Sequence, residues 1–229
     1  MLDTVIVLVC VLLLLIGVYS LLDNLWLYQN ANDTSILRYK PQKDSPIPEE
    51  KKISENQIAW LSIDGTSIDY PLMQGKDNYE FLNKDPYGAF SLSGSIFLDC
   101  ANDPEFRDEY SLVYGHHMDR GAMFGALDYF KDSSFFDAHR SGSIVTANTV
   151  YELEIFAIAS VDATNQSIFD PQGRTEKEII AFLSENALRY EKPTEGRRIV
   201  ALSTCTSASD TDRLVVFGTI REKGGERTI

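Results

Sequence analysis

Hydrophobic positions along the chain fall into three regimes. From residue 4 to residue 22 the sequence is uncharged and almost continuously Val, Leu and Ile, bounded by Asp3 and Asp23. From about residue 30 to 52 it is polar, contains Pro41, Pro46 and Pro48, and shows little periodicity. From residue 53 onward, short apolar or alternating runs are separated by turn residues. The runs 58–63 and 66–70 flank Asp64-Gly65, a type I′ hairpin signal. Further strands are expected at 94–99, 110–114, 143–147, 150–159, 198–204 and 214–221. Helical signals are fewer: short helices at 77–84 and 123–130, and a longer one at 176–190. Thr175 and Glu178 form a capping box before that last helix, and Ile180, Leu183, Ala187 and Tyr190 recur at helical spacing. Many short strands and few helices predict a mainly β domain, an antiparallel barrel or sandwich.

The first regime reads as a membrane span. About 19 residues at ~1.5 Å each give roughly 28 Å, close to a bilayer's hydrocarbon thickness. Trp26 and Tyr28 follow where an interfacial aromatic belt would sit. The run is long for a signal-peptide core and no A-x-A site follows it, which favours a retained anchor over a cleaved signal or a buried core helix. The expected organisation is therefore an anchor at 1–29, a stalk or an early helix lying against the body at 30–52, a compact domain at 53–222 and a tail at 223–229. Arg38, Lys40, Lys43, Lys51 and Lys52 all follow the span. Taken literally they place the body on the cytoplasmic side, but only three residues precede the span for the rule to count.

Composition narrows the partners. The 229 residues carry a formal net charge of −13 and a pI near 4.6, which disfavours nucleic acid and polybasic membrane-surface binding. Three Cys do not make a disulfide framework, and their spacing matches no zinc pattern. No cofactor is called for.

Three residues at strand ends carry the candidate chemistry. The 110–114 run leads into Gly115, His116 and His117; the 198–204 run delivers Cys205; Arg213 opens the run at 214. Antiparallel neighbours would bring thiol and guanidinium to one rim. A cation beside a thiol raises its thiolate fraction, and an imidazole can protonate a departing amine. Arg213 could orient a substrate or its oxyanion. His117 competes with His116, since neighbours in a strand point to opposite faces. A metal site of His116, His117 and Asp119 matches no strong ligand pattern. His139 reads as solvated, and Cys100 as packed or disulfide-bonded to Cys205.

At these residues the chain resembles the class B sortases. Leu202-Ser-Thr-Cys205 is similar to the family's T-L-x-T-C signature, with Ala201 in first place and Arg213 on the next strand. Tyr114-Gly-His116, Met118 and Met123-Phe-Gly125 resemble its Y-G-H…M-F segment. Trp60 to Thr66, Ile68 to Pro71, Asp77-Asn78 and Gly94 to Phe97 fit its first strands. The resemblance covers about 53–222. It implies an eight-stranded β-barrel with N-terminal helices and one long helix before the catalytic strand, joined to a transmembrane helix. It implies a cysteine transpeptidase of Gram-positive bacteria, with Cys205 as nucleophile, His116 as acid/base and Arg213 as substrate-orienting residue. Thr204 and Ser207 would belong to the substrate or oxyanion environment, Ser207 standing where some members have an acidic residue. The implied substrates are surface proteins or pilins bearing a C-terminal sorting signal. The implied acceptors are amines of a cell-wall precursor or a pilin Lys. The implied location is the cell membrane, crossed once, with the catalytic domain outside the cytoplasm. Two other readings share some features: an anchored non-catalytic adhesin, with Cys205 inert, or an L,D-transpeptidase, whose S-x-G-C-x-R pattern is absent here.

Overall fold

The computed structural model describes residues 2–31, 34–42, 45–194, 197–205 and 211–224. Helix α1 (Leu2–Ala31) carries the apolar run. Within it Asp3–Asp23 is long and apolar enough to cross a membrane, and none of it is buried against the rest of the chain. A core helix would bury a face; the Asp3–Asp23 stretch buries none.

The body is built from β1 (Gln57–Ile63), β2 (Asp69–Met73), β3 (Ile96–Leu98), β4 (Tyr110–His116), α2 (Ser133–Ala138), β5 (Ser141–Thr146), β6 (Val150–Asp162), α3 (Gln166–Phe169), α4 (Glu176–Asn186), β7 (Arg189–Tyr190), β8 (Arg198–Cys205) and β9 (Asp212–Glu222). The strands run β5-β1-β2-β3-β4-β8-β9-β6, and β5 pairs with β6 to close an eight-stranded barrel; β7 lies outside the ring on β6. The barrel is mixed rather than antiparallel, because β2–β3 and β4–β8 pair in parallel.

Alternation along each strand sorts side chains into two layers. Ala59, Leu61, Ile63, Val113, Ile144, Leu153, Val200, Leu202, Leu214 and Val216 fill the barrel interior, with Phe124, Leu127 and Phe130 packed into the same cluster. Tyr110, Leu112, Tyr114, Ile199, Ala201, Val215 and Phe217 point outward. They pack against Phe81, Ile168 of α3, and Ile179 and Leu183 of α4.

Several local expectations are corrected. The first hairpin forms, but its turn is not type I′. Gly65 alone has positive φ (74°), whereas type I′ needs it at both central residues, and Thr66 Oγ1 donates to Ile63 O over a longer loop. The helices expected at 77–84 and 123–130 are 3-10 turns, Glu80–Leu82 and Phe124–Lys131. The Thr175–Glu178 capping box is present, but α4 ends at Asn186 and Tyr190 pairs with Ala157 as a strand. Part of the segment following α1 lies on the barrel. It forms 3-10 turns at Thr34–Tyr39 and Glu49–Lys51, and Ile47 packs with Trp60, Val145 and Val150, its N–H donating to Thr146 O.

Candidate active site

The site follows from strand register. In the parallel β4–β8 ladder, Tyr110 pairs with Ile199 and the register runs without a bulge to His116 and Cys205. In the antiparallel β8–β9 ladder, Arg198 pairs with Ile220 and Ser203 with Val215. Each step up β8 is one step back along β9, so position 205 falls opposite Arg213. The positions 116, 205 and 213 form one row across three strands, spanning roughly 10 Å at ~4.8 Å per strand. They share the outward parity of Tyr114, Ser203 and Val215, at the edge of the apolar layer under α3 and α4. The structure describes Cys205 by its backbone.

Each neighbour of the row has a definite partner. His116 Nε2–H donates to Leu82 O at 2.7 Å. Among the described residues no carboxylate bonds to this imidazole. His117 Nε2–H instead donates to Asp128 at 2.6 Å. Burial pushes the Asp128 pKa up, but hydrogen bonds from Lys131 and His117 outweigh it and hold the carboxyl below its usual range. The competing imidazole is thus tied to a surface carboxylate. Arg213 stacks its guanidinium 5.2 Å from the centre of the Phe169 ring, and its buried Nε finds no acceptor among the described residues. A buried donor left open in this way matches an oxygen supplied by a ligand.

The remaining candidates are resolved individually. Thr204 is buried, and its hydroxyl accepts from Leu214 N and donates to Leu214 O, both at 3.3 Å, clasping the end of the β8–β9 ladder. Ser207 lies outside the described residues, as does Asp210. Asp212 is exposed and accepts from Ser160 Oγ at 3.4 Å. Cys100 is exposed and free rather than packed or disulfide-bonded. His139 is not simply solvated: its ring stacks on Phe135 at 3.9 Å and Nδ1–H donates to Phe135 O. His116, His117 and Asp119 are not brought together as a metal cluster, nor is any other group of three or more such side chains among the described residues.

Below the row, Tyr114 reaches Asp99, a buried carboxylate that also accepts from Asn78 Nδ2 at 2.8 Å. Sequence reasoning missed two contributors. The Leu82 carbonyl is a backbone group that no residue pattern announces. Phe169 is remote from Arg213 in the chain and meets it only through β6–β9 pairing.

Comparison with known proteins places the chain in a family. The family model "Sortase domain" matches residues 61–221. Sortase B of Listeria monocytogenes is 32% identical over 179 residues, 76% of this chain and 73% of that protein. A Streptococcus pyogenes class B sortase involved in pilus biogenesis superposes with TM-score 0.68 at 38% identity, over 74% of this chain and 94% of the other. Staphylococcus aureus sortase B in a substrate complex gives TM-score 0.67 at 29% identity, over 75% and 82% of the two chains. A structure of sortase B complexed with triglycine gives TM-score 0.67 at 28% identity, over 76% and 84%.

Proposed function

The chain belongs to the sortase family, in its class B of cysteine transpeptidases, and we propose that it cleaves a C-terminal sorting signal through a thioester on Cys205. The observation that carries this reading is the unbroken β4–β8 register that pairs His116 with Cys205, beside Arg213 on the next strand.

The chemistry follows from what each group can give. The Cys205 thiolate attacks the scissile carbonyl carbon, forming a C–S bond and an oxyanion. The oxyanion, or the adjoining substrate carbonyl, is met by the Arg213 guanidinium, which lies over Phe169 and whose Nε has no acceptor among the described residues. Collapse breaks the C–N bond, and the leaving amine takes its proton from the His116 imidazolium. An incoming amine then attacks the thioester carbonyl, loses a proton to neutral His116 and expels the Cys205 thiolate. The product is a new amide, and the starting state returns.

The acceptor belongs to a cell-wall precursor or a pilin Lys. The pilus-linked S. pyogenes relative supports the second and the triglycine complex an amine acceptor in general. Thr204 contributes by holding the end of β8 against β9, and Ser207 belongs to the same environment. Helix α1 anchors the protein in the cell membrane, with the catalytic domain 53–222 on the extracytoplasmic side, where such substrates reside. The test is incubation of the 229-residue chain with a panel of sorting-signal peptides and amine acceptors, read by mass spectrometry. Ligated product that requires both peptide and amine is expected; absence of both cleavage and ligation across the panel would overturn the reading.

A further inference from the structure

We propose that the segment between β2 and β3 is a backbone clamp that sets the working tautomer of His116, a role the carboxylate of a His–Asp pair fills elsewhere. This rests on the transpeptidase reading above. A carbonyl oxygen carries no proton, so the 2.7 Å contact with Leu82 O requires the proton on Nε2 in both the neutral and the charged ring. Nδ1 is then the atom that takes and gives the catalytic proton.

The clamp is pinned from several sides. Asp77 Oδ1 accepts from the N–H groups of Tyr79 and Glu80, Asn78 bridges to Asp99 and to Cys100 N, and Ser95 N–H donates to Phe81 O at 3.0 Å. Gly94 closes it. Its φ is +58°, and a Cβ there would collide with the Leu82 carbonyl oxygen and lie 2.7 Å from Phe81 O. Gly88, in the same segment, has φ +86° and nothing within 4 Å of a built Cβ. An Ala at either position adopts the same strained backbone region, but only Gly94→Ala displaces the carbonyl. The ionisable groups on elements around this end of β4 are Cys205 on β8, Arg213 on β9, the Glu80–Lys84 pair in the segment itself, the His117–Asp128 pair and Asp99.

The experiment compares Gly94→Ala and Gly88→Ala in the full chain. Gly94→Ala should lower kcat by roughly 10- to 100-fold with little change in KM. It should also release the Nε2–H tautomer of neutral His116, read by ¹⁵N NMR as a shift of protonation toward Nδ1. Gly88→Ala should keep kcat within about twofold and leave the tautomer unchanged. Equal behaviour of the two variants, or a kcat loss with an unchanged tautomer, would overturn the clamp. Should Gly94→Ala not fold, ¹⁵N NMR of the unmodified chain decides: neutral His116 protonated on Nε2 is expected, and on Nδ1 contradicts it. Neither NMR measurement needs turnover, so a failure of the thioester reading, seen as turnover by Cys205→Ala, stays distinguishable.

Discussion

The barrel has two outer faces built by the same alternation and finished differently. Across β4, β8 and β9 the outward positions are mostly apolar, with Ser203 buried among them, and pack against α3 and α4 up to the row at 116, 205 and 213. Across β1, β5 and β6 the outward positions carry Trp60 and Val145 beneath Ile47, then an open cavity of about 830 Å³ lined by Ser62, Ser143, Glu152, Glu154 and several cations. Four cations of that second face have carboxylate partners: Lys40 with Asp69, Arg140 with Glu191, Arg197 with Glu154, Arg221 with Glu152. Arg213 has an aromatic ring beneath it, and its buried Nε has no acceptor among the described residues. The paired cations already face a carboxylate, and such surface pairs contribute little. A guanidinium with an open Nε–H among the described residues, at the edge of an apolar layer, can meet a negative charge brought by a ligand. Among the described residues, the two faces differ in whether a guanidinium is already met by a carboxylate.

The largest expected effect lies at the imidazole. His116→Ala should reduce ligation by roughly 10²- to 10⁴-fold, the usual range for losing a positioned acid/base. His117→Ala, which breaks only the surface pair with Asp128, should leave activity within about threefold; progress curves on one peptide–amine pair decide. The reverse order would show that the Asp128-bound ring is the catalytic one. Next come the two kinds of cation. Arg213→Lys should cost about 10- to 100-fold in kcat/KM, because an ammonium does not reproduce the planar fork of donors. Arg221→Lys, on the other face, should be kinetically silent. Equal losses would remove the distinction between the faces.

A smaller effect separates stability from catalysis. Trp60 is buried and its Nε1–H donates to Asp69 Oδ1 at 2.8 Å. Trp60→Ala should lower unfolding free energy by about 3–5 kcal/mol in denaturant titrations, with kcat per folded molecule unchanged. A fall in kcat of the folded fraction would couple the covered face to the site. The smallest effect is at the α4 cap. The backbone N–H of Thr175, followed by its hydroxyl, holds the Glu178 carboxyl below its usual range. Its folded-state pKa is depressed, so its stabilisation is present above the unfolded carboxylate pKa and lost as pH falls through the folded value. The Tm difference between the unsubstituted chain and Glu178→Gln should be largest near neutral pH and shrink in acid; a gap that stays constant with pH would exclude the linkage.

Much of the row was legible beforehand because alternation and strand order are local signals. The runs ending at His116 and Cys205 and beginning at Arg213 each have the period of a strand, and their ends coincide because the ladders carry no bulge there. The fold class followed from the density of such runs together with the family motifs. Less legible were features set by tertiary pairing. Tyr190 sits at helical spacing from Leu183 and Ala187, yet it finds an open edge of β6 and becomes a strand. Pro-containing residues 34–51 have little periodicity, and Ile47 nonetheless fills the pocket over Trp60. The parallel β4–β8 pairing joins strands far apart in sequence and leaves no local trace.

The most direct measurement is peptide mapping of the chain after incubation with a sorting-signal peptide in the absence of an amine acceptor. The expected result is a hydroxylamine-labile mass increment equal to the peptide's N-terminal fragment, located on the tryptic peptide containing Cys205 and absent from Cys205→Ala. Cleaved peptide with no adduct, or with the adduct on another residue, would contradict a thioester at the centre of the His116–Cys205–Arg213 row.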